Sequence, residues 1–145
     1  GMPPGRFVSA IVQHPEVEFR IFGVCIPWKD AHVSSGRKDR VVWQEHITYL
    51  DGLQQLIEQV QSPLVVAGDF NQRIPRGNQP HKVSDKLSEC IDGLQVCTSL
   101  PLEKPLIDHI AVSKHFSASM VETIPDHDSI GNLSDHQGVI AEIAF

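Results

Sequence analysis

Leu64-Val65-Val66-Ala67-Gly68-Asp69-Phe70-Asn71 joins an apolar run to a short polar turn. The run is too apolar for an edge strand, so it should lie inside a sheet and be buried on both faces. Just upstream, Gln61-Ser62-Pro63 stops any preceding helix, because proline cannot continue one. Gly68 to Asn71 then fall at the C-terminal end of the strand, where α/β sheets tend to bind ligands. Taken alone, an Asp in such a turn usually just accepts hydrogen bonds from nearby backbone N–H groups. The neighbouring segments decide between the two readings.

Before this strand, Trp43, Ile47, Leu50, Leu53 or Gln54, Ile57 and Val60 recur in steps of three and four. That spacing predicts an amphipathic helix from Arg40 onward, with one apolar stripe against the sheet and Trp43 in the core. Residues 29–39 are polar and contain Ser34-Ser35-Gly36, a loop. Earlier still, β-rich residues 6–13 and 18–27 flank His14-Pro15-Glu16 and read as a hairpin. Trp28, beside the loop, either lines a substrate edge or covers the sheet.

After the strand, residues 74–80 are a Pro/Gly-rich loop. Residues 82–91 suggest a short helix with Val83, Leu87 and Ile91 on one side and Gly93 as its stop. Strand patterns follow at residues 106–112, 117–124 and 137–143, the last two separated by a polar loop. No repeat, low-complexity tract or second domain is evident, so residues 1–145 read as a single domain. A hydrophobic fraction of 41% with 21% charged residues is that of a globular chain. No apolar run approaches the roughly 18 residues of a membrane helix, and the first residues lack the pattern of a secretory signal. Gly1 before Met2 reads as a remnant of tag removal.

Cys25, Cys90 and Cys97 are odd in number, lack CxxC spacing and have apolar neighbours. They read as buried free thiols of a reducing, cytoplasmic interior. The net charge of -6 argues against a broad non-specific nucleic-acid surface. It does not exclude phosphate chemistry, because a metal site needs carboxylates and the bound cation reverses the local sign.

Three clusters combine acids, an amide and histidines with strand-like runs: Gly68-Asp69-Phe70-Asn71, Leu106-Ile107-Asp108-His109-Ile110 and Leu133-Ser134-Asp135-His136. Polar groups placed repeatedly at strand ends suggest convergence on one sheet edge. Phosphoryl transfer to water needs such a set. One carboxylate can hold Mg²⁺ or Mn²⁺, which favour oxygen ligands. A second can orient or deprotonate the attacking water, and an amide can donate to a phosphoryl oxygen. A third can hydrogen-bond the imidazole and favour its charged form.

At these residues the sequence resembles the endonuclease/exonuclease/phosphatase superfamily, whose GDFN motif matches Gly68 to Asn71 and whose terminal SDH matches Ser134-Asp135-His136. The family strand that carries an Asp before an aromatic residue or His matches Ile107-Asp108-His109-Ile110, and Arg40, Gln44 and Leu50 stand where that family often has such residues. The resemblance implies part of a four-layer DNase I-like α/β sandwich, a mixed, mainly antiparallel sheet with outer helices. It covers the C-terminal half of that fold, and the N-terminal half is expected to be absent. It further implies a Mg²⁺- or Mn²⁺-dependent phosphoesterase acting on a phosphodiester or phosphomonoester. Asp69 would activate the water, Asn71 would bind the phosphoryl group, and Asp135 would be a metal ligand. His136 would contact the phosphate, with Asp108 as its partner. His109, Phe70 and Ser134 are assigned to packing or to support of these groups.

The sequence departs from the family in two places. The metal-binding Glu and the early Asn that complete the family's site come from strands upstream of the hairpin, and only Gly1 to Gly5 precede the hairpin here. Where the family often carries a Tyr or His that holds phosphate, this chain reads Val24-Cys25-Ile26-Pro27-Trp28. The alternative function is therefore a catalytically incomplete fragment acting as a folded or binding module. An interaction scaffold keeping the motifs as relics is a third reading, opposed by the presence of all five residues. A half-fold would leave a sheet face uncovered, which predicts a homodimer or other oligomer. The remaining histidines, His14, His32, His46, His81, His115 and His127, read as solvent-facing or capping, and Asp126-His127-Asp128 as a polar loop.

Overall fold

Alternating apolar residues build the sheet. The computed structural model describes residues 2–99 and 106–145. Gly1, read above as a remnant of tag removal, lies outside them. Strand β1 (Phe7–Gln13) turns through His14 to Val17 into β2 (Glu18–Cys25), with Phe7 opposite Val24 and Gln13 opposite Glu18. This is the hairpin expected from the sequence. Helix α1 (Gln44–Glu58) then crosses to β3 (Leu64–Asp69), which runs parallel to β2. Helix α2 (His81–Cys90) and β4 (Leu94–Val96) lead to β5 (Asp108–Ser113), and β6 (Ser117–Ile124) pairs antiparallel with β7 (Gly138–Ala144). The order is β1-β2-β3-β5-β4 in one sheet and β6-β7 in another.

Period-2 alternation divides the larger sheet into two faces. Phe22, Val24, Leu64, Val66 and Ala111 pack against Tyr49, Leu50 and Leu53 of α1 and Leu87 and Cys90 of α2. On the other face, Phe19, Ile21, Val65, Ile110 and Val112 meet Phe116, Ala118 and Ile143 of the β6-β7 side. Leu64, Val65 and Val66 are all buried, as expected of a strand covered on both faces. Helices outside a mixed, mainly antiparallel sheet, with a second sheet behind it, are the α/β arrangement that the sequence implied.

The structure corrects details. Trp43 precedes α1 with φ 70°, so it is no part of the helical stripe. The buried stripe is Glu45, His46, Tyr49, Leu50 and Leu53. His46, read as solvent-facing or capping, is fully buried. Strand β4 had no clear signature, because Leu94-Gln95-Val96 is too short to show a period. Cys25, Cys90 and Cys97 are free; Cys90 and Cys97 are buried, and burial pushes the Cys90 thiol up to about 12.

Candidate active site

The same alternation that packs the sheet also sorts the polar residues. Asp69 at the end of β3 lies opposite Asp108 at the start of β5, and Cys25 at the end of β2 lies beside Asp69. By parity with Val65, Ile110 and Ile21, all three share the face toward β6-β7. Phe70 and His109, one residue on, turn to the helix side. The loop before β7 brings His136 to the row. His136 Nδ1 donates to Asp108 Oδ2 at 2.6 Å, and single ligand atoms of Asp69, Asp108 and His136 all lie within 4.8 Å of one another.

The turn after β3 is fixed by its own residues. Gly68 has φ 136°, and a Cβ there would stand 2.1 Å from the Val24 carbonyl oxygen, so only glycine fits. Asn71 adopts φ 50°, a left-handed conformation that Asn tolerates. Its backbone N–H donates to Asp69 Oδ1 at 2.8 Å, and its Nδ2 donates to Asp69 Oδ2 at 2.7 Å and to the Ile26 carbonyl at 2.8 Å. Both amide hydrogens are thus committed to holding Asp69 against the end of β2. Ser134 Oγ accepts from the His136 backbone N–H at 3.0 Å, a local turn that presents the imidazole.

Burial pushes the Asp69 carboxyl above its ordinary value, and the nearby Asp108 charge adds to this against the Asn71 hydrogen bond, His136 and Arg6. For His136 burial opposes the charged form, but the hydrogen bond and charge of Asp108, with Asp69 and Asp135, outweigh it and raise the imidazole. Opposite charges and a short bond therefore favour an imidazolium beside two carboxylates.

Asp135 is not drawn into the cluster. Its side chain is 95% exposed, with Oδ2 3.9 Å from His136 Nε2, at the rim of a hollow of about 160 Å³ that Arg73, Asp108 and His136 also line. One functional candidate escaped sequence reading. Arg6 donates to the Cys25 carbonyl at 3.3 Å and to Cys25 Sγ at 3.2 Å, which puts a guanidinium at the end of the same row. Only the pairing of β1 with β2 brings it there. Trp28 is exposed beside the Ile26-Pro27 segment that anchors Asn71. Asp126-His127-Asp128 is a hydrogen-bonded loop, in which Asp128 accepts from Ile130 and Gly131.

No family sequence model and no curated protein matches the chain. Solved structures do. An endonuclease/exonuclease/phosphatase family protein from Leptotrichia buccalis is similar over 96% of this chain and 54% of its own, at 14% identity and TM-score 0.56. A beta toxin variant from Staphylococcus aureus with bound magnesium ions covers 94% and 57%, at 13% identity and TM-score 0.58. TDP2 of D. rerio, complexed with single strand DNA product, covers 97% and 68%, at 13% identity and TM-score 0.56. The chain spans little more than half the length of the first two. The fold is thus the DNase I-like fold of endonuclease/exonuclease/phosphatase proteins, over part of its extent, as the motifs implied. Among the described residues, no helix is long and apolar enough to cross a membrane.

Proposed function

We propose that this chain, built on part of the endonuclease/exonuclease/phosphatase fold, is a divalent-metal-dependent phosphoesterase that hydrolyses a phosphodiester or phosphomonoester by attack of water. It would be the C-terminal half of such a domain. The observation that carries the reading is the Asp69, Asp108 and His136 cluster, with donor atoms within 4.8 Å of one another.

Carboxylate oxygens grouped this closely suit a divalent cation such as Mg²⁺ or Mn²⁺, whereas the imidazole, protonated beside Asp108, would be a donor to the phosphate rather than a ligand. Asp135, at the rim of the hollow lined by Asp108 and His136, would be its ligand. Such an ion supplies positive charge for a phosphoryl oxygen and acidifies a bound water. Asp69, its carboxyl raised by burial, would orient the attacking water and accept its proton. Asn71 holds that carboxylate in place, and would have to release one of its bonds to reach a phosphoryl oxygen. His136, kept charged by Asp108, would direct its Nε2 proton to the phosphate, and Arg6 would add a second cation. A small or isolated phosphate ester fits the net charge of -6 better than long DNA. A homodimer through the sheet face around Val8, which is 63% exposed, belongs to the same proposal; sedimentation showing only monomer at micromolar concentration would oppose it.

A second reading, a catalytically incomplete module, is favoured by one observation: Asp135, the expected metal ligand, is 95% exposed and stands outside the Asp69, Asp108 and His136 cluster. Calorimetric titration with Mn²⁺, paired with hydrolysis of bis-p-nitrophenyl phosphate and an abasic-site oligonucleotide, separates the two. Tight binding with EDTA-sensitive turnover supports the phosphoesterase. Weak binding without turnover supports the incomplete module.

A further inference from the structure

Behind the candidate site, on the helix side of the sheet, lies a buried chain of polar groups that the chemistry above does not use. His46, Gln72, Thr98 and His109 are each no more than 2% exposed. Their hydrogen bonds fix the direction of every link. Thr98 Oγ1 lies 2.8 Å from His109 Nδ1, and His109 Nε2 lies 2.9 Å from the Gln72 carbonyl oxygen. A carbonyl only accepts, so Nε2 carries the proton and Nδ1 accepts from the threonine hydroxyl. Likewise His46 Nδ1 lies 2.7 Å from the Pro27 carbonyl oxygen, so Nδ1 carries the proton and Nε2 accepts from Gln72 Nε2 at 2.8 Å. The same Gln72 nitrogen also donates to the Val83 carbonyl at 3.1 Å. Reversing the Gln72 amide would set its oxygen against two acceptors, so the orientation is unique.

Each anchor is one residue from a group of the site. Gln72 follows Asn71, His109 follows Asp108, and Pro27 follows Ile26, whose carbonyl holds the Asn71 amide. We propose that Gln72 and His109 are positioning residues that hold the Asp69–Asn71 turn from behind: His109, fixed in one tautomer, locks the turn to the Asp108 strand by donating to the Gln72 main-chain carbonyl, and the Gln72 side chain ties the same turn to α1 and α2 through His46 and the Val83 carbonyl. The proposal rests on the reading of Asp69, Asn71, Asp108 and His136 as the site. An apolar filling of the same volume would pack this layer equally well, but would leave the turn and the strand free to shift against each other.

Nuclear magnetic resonance of the whole metal-free chain tests this. Long-range nitrogen–proton correlation of the wild type should show His46 protonated on Nδ1 and His109 on Nε2; the opposite tautomers or a mixture would overturn the proposal. Gln72→Met keeps volume and removes the two hydrogen bonds of the side-chain nitrogen, to His46 and Val83, while sparing the main-chain bond to His109, whereas Leu53→Val loosens the core on α1. In Gln72→Met, hydrogen exchange of the Asn71 side-chain amide should speed up by about tenfold, the loss of one net hydrogen bond. Leu53→Val should leave it unchanged. If Gln72→Met does not fold, Thr98→Val cuts the far end of the chain and should speed the same exchange. Unchanged Asn71 exchange in the variant that folds, with only global stability reduced, would make the network a structural filler and sink the proposal. These readouts need neither metal nor substrate, so a wild type that bound no Mn²⁺ would refute the phosphoesterase reading while leaving this test standing.

Discussion

Replacing Asp108 by Asn tests the electrostatic heart of the site. The two side chains are 25% and 29% exposed and meet at 2.6 Å. A hydrogen bond to a charged group contributes about 1.5–3 kcal/mol when protected from water. With a quarter of each side chain in solvent, about 1–2 kcal/mol is a fair value after screening. Asparagine keeps the shape and an accepting oxygen but removes the charge. Burial alone holds His136 below its ordinary value of 6.5, and the bond and charge of Asp108 reverse that. In metal-free buffer, the His136 ring protons should therefore titrate above 6.5 in the wild type and lower in Asp108→Asn. The folded value lies above the unfolded one, so this bond stabilises the fold fully below the unfolded pKa and is lost as pH rises through the folded pKa. Denaturant titration should accordingly show Asp108→Asn costing about 1–2 kcal/mol near pH 5 and distinctly less near pH 9. A wild-type His136 that titrates at or below 6.5, or one indifferent to Asp108→Asn, would refute the reasoning.

Other outcomes follow from the same geometry. Asp69→Asn should lower Mn²⁺-dependent hydrolysis of bis-p-nitrophenyl phosphate by about 100-fold or more, the usual scale for losing a general base, while near-ultraviolet dichroism stays native. Asp135→Asn should weaken Mn²⁺ binding about tenfold by calorimetry, yet leave the melting temperature unmoved, because a side chain 95% exposed supports nothing in the fold. Gly68→Ala should destabilise the fold by about 3 kcal/mol or more in urea, since its Cβ would meet the Val24 carbonyl oxygen at 2.1 Å. An alanine with wild-type stability there would mean that the turn after β3 is not built as described.

Where one residue's neighbours in sequence are also its structural cause, the sequence was legible. The β1-β2 hairpin, the doubly buried β3 and the spacing of Val83 and Leu87 in α2 could all be read, because period 2 and period 3.6 are local signals. The pairing of Asp108 with His136 was legible only through the family resemblance. What escaped depends on distant partners. His46 reads as a surface histidine until Gln72 and the Pro27 carbonyl, far along the chain, are seen to satisfy both ring nitrogens. Arg6 is an ordinary cation at a strand start until β2 places Cys25 beneath it. Trp43 fits the helical stripe by spacing alone, and only its left-handed backbone removes it.

The site is assembled across two sheets, and this governs how it can fail. Asp69 and Asp108 belong to the larger sheet, whereas His136 enters from the loop leading into β7. Among the described residues, the contact between the sheets includes the cluster Val65, Val112 and Phe116 with Phe19, Ile21, Ile110, Ala118 and Ile143, joined by Phe145 near Phe19 and Phe116 and by the Gln95 to Ala118 hydrogen bond. A small shift of one sheet against the other is enough to break a hydrogen bond whose strength depends steeply on distance and angle. The buried histidine chain cannot resist such a shift, because all its links lie on the helix side of the larger sheet. Residues that never touch a substrate thus divide the work: His109, bonded to the Gln72 main-chain carbonyl, fixes the carboxylates relative to one another while the Gln72 side chain holds their turn to the helices, and Phe116 fixes the imidazole relative to the carboxylates. Trimming Phe116 to Leu should therefore loosen the His136 to Asp108 bond while leaving Asn71 protected from exchange, the reverse of what Gln72→Met does.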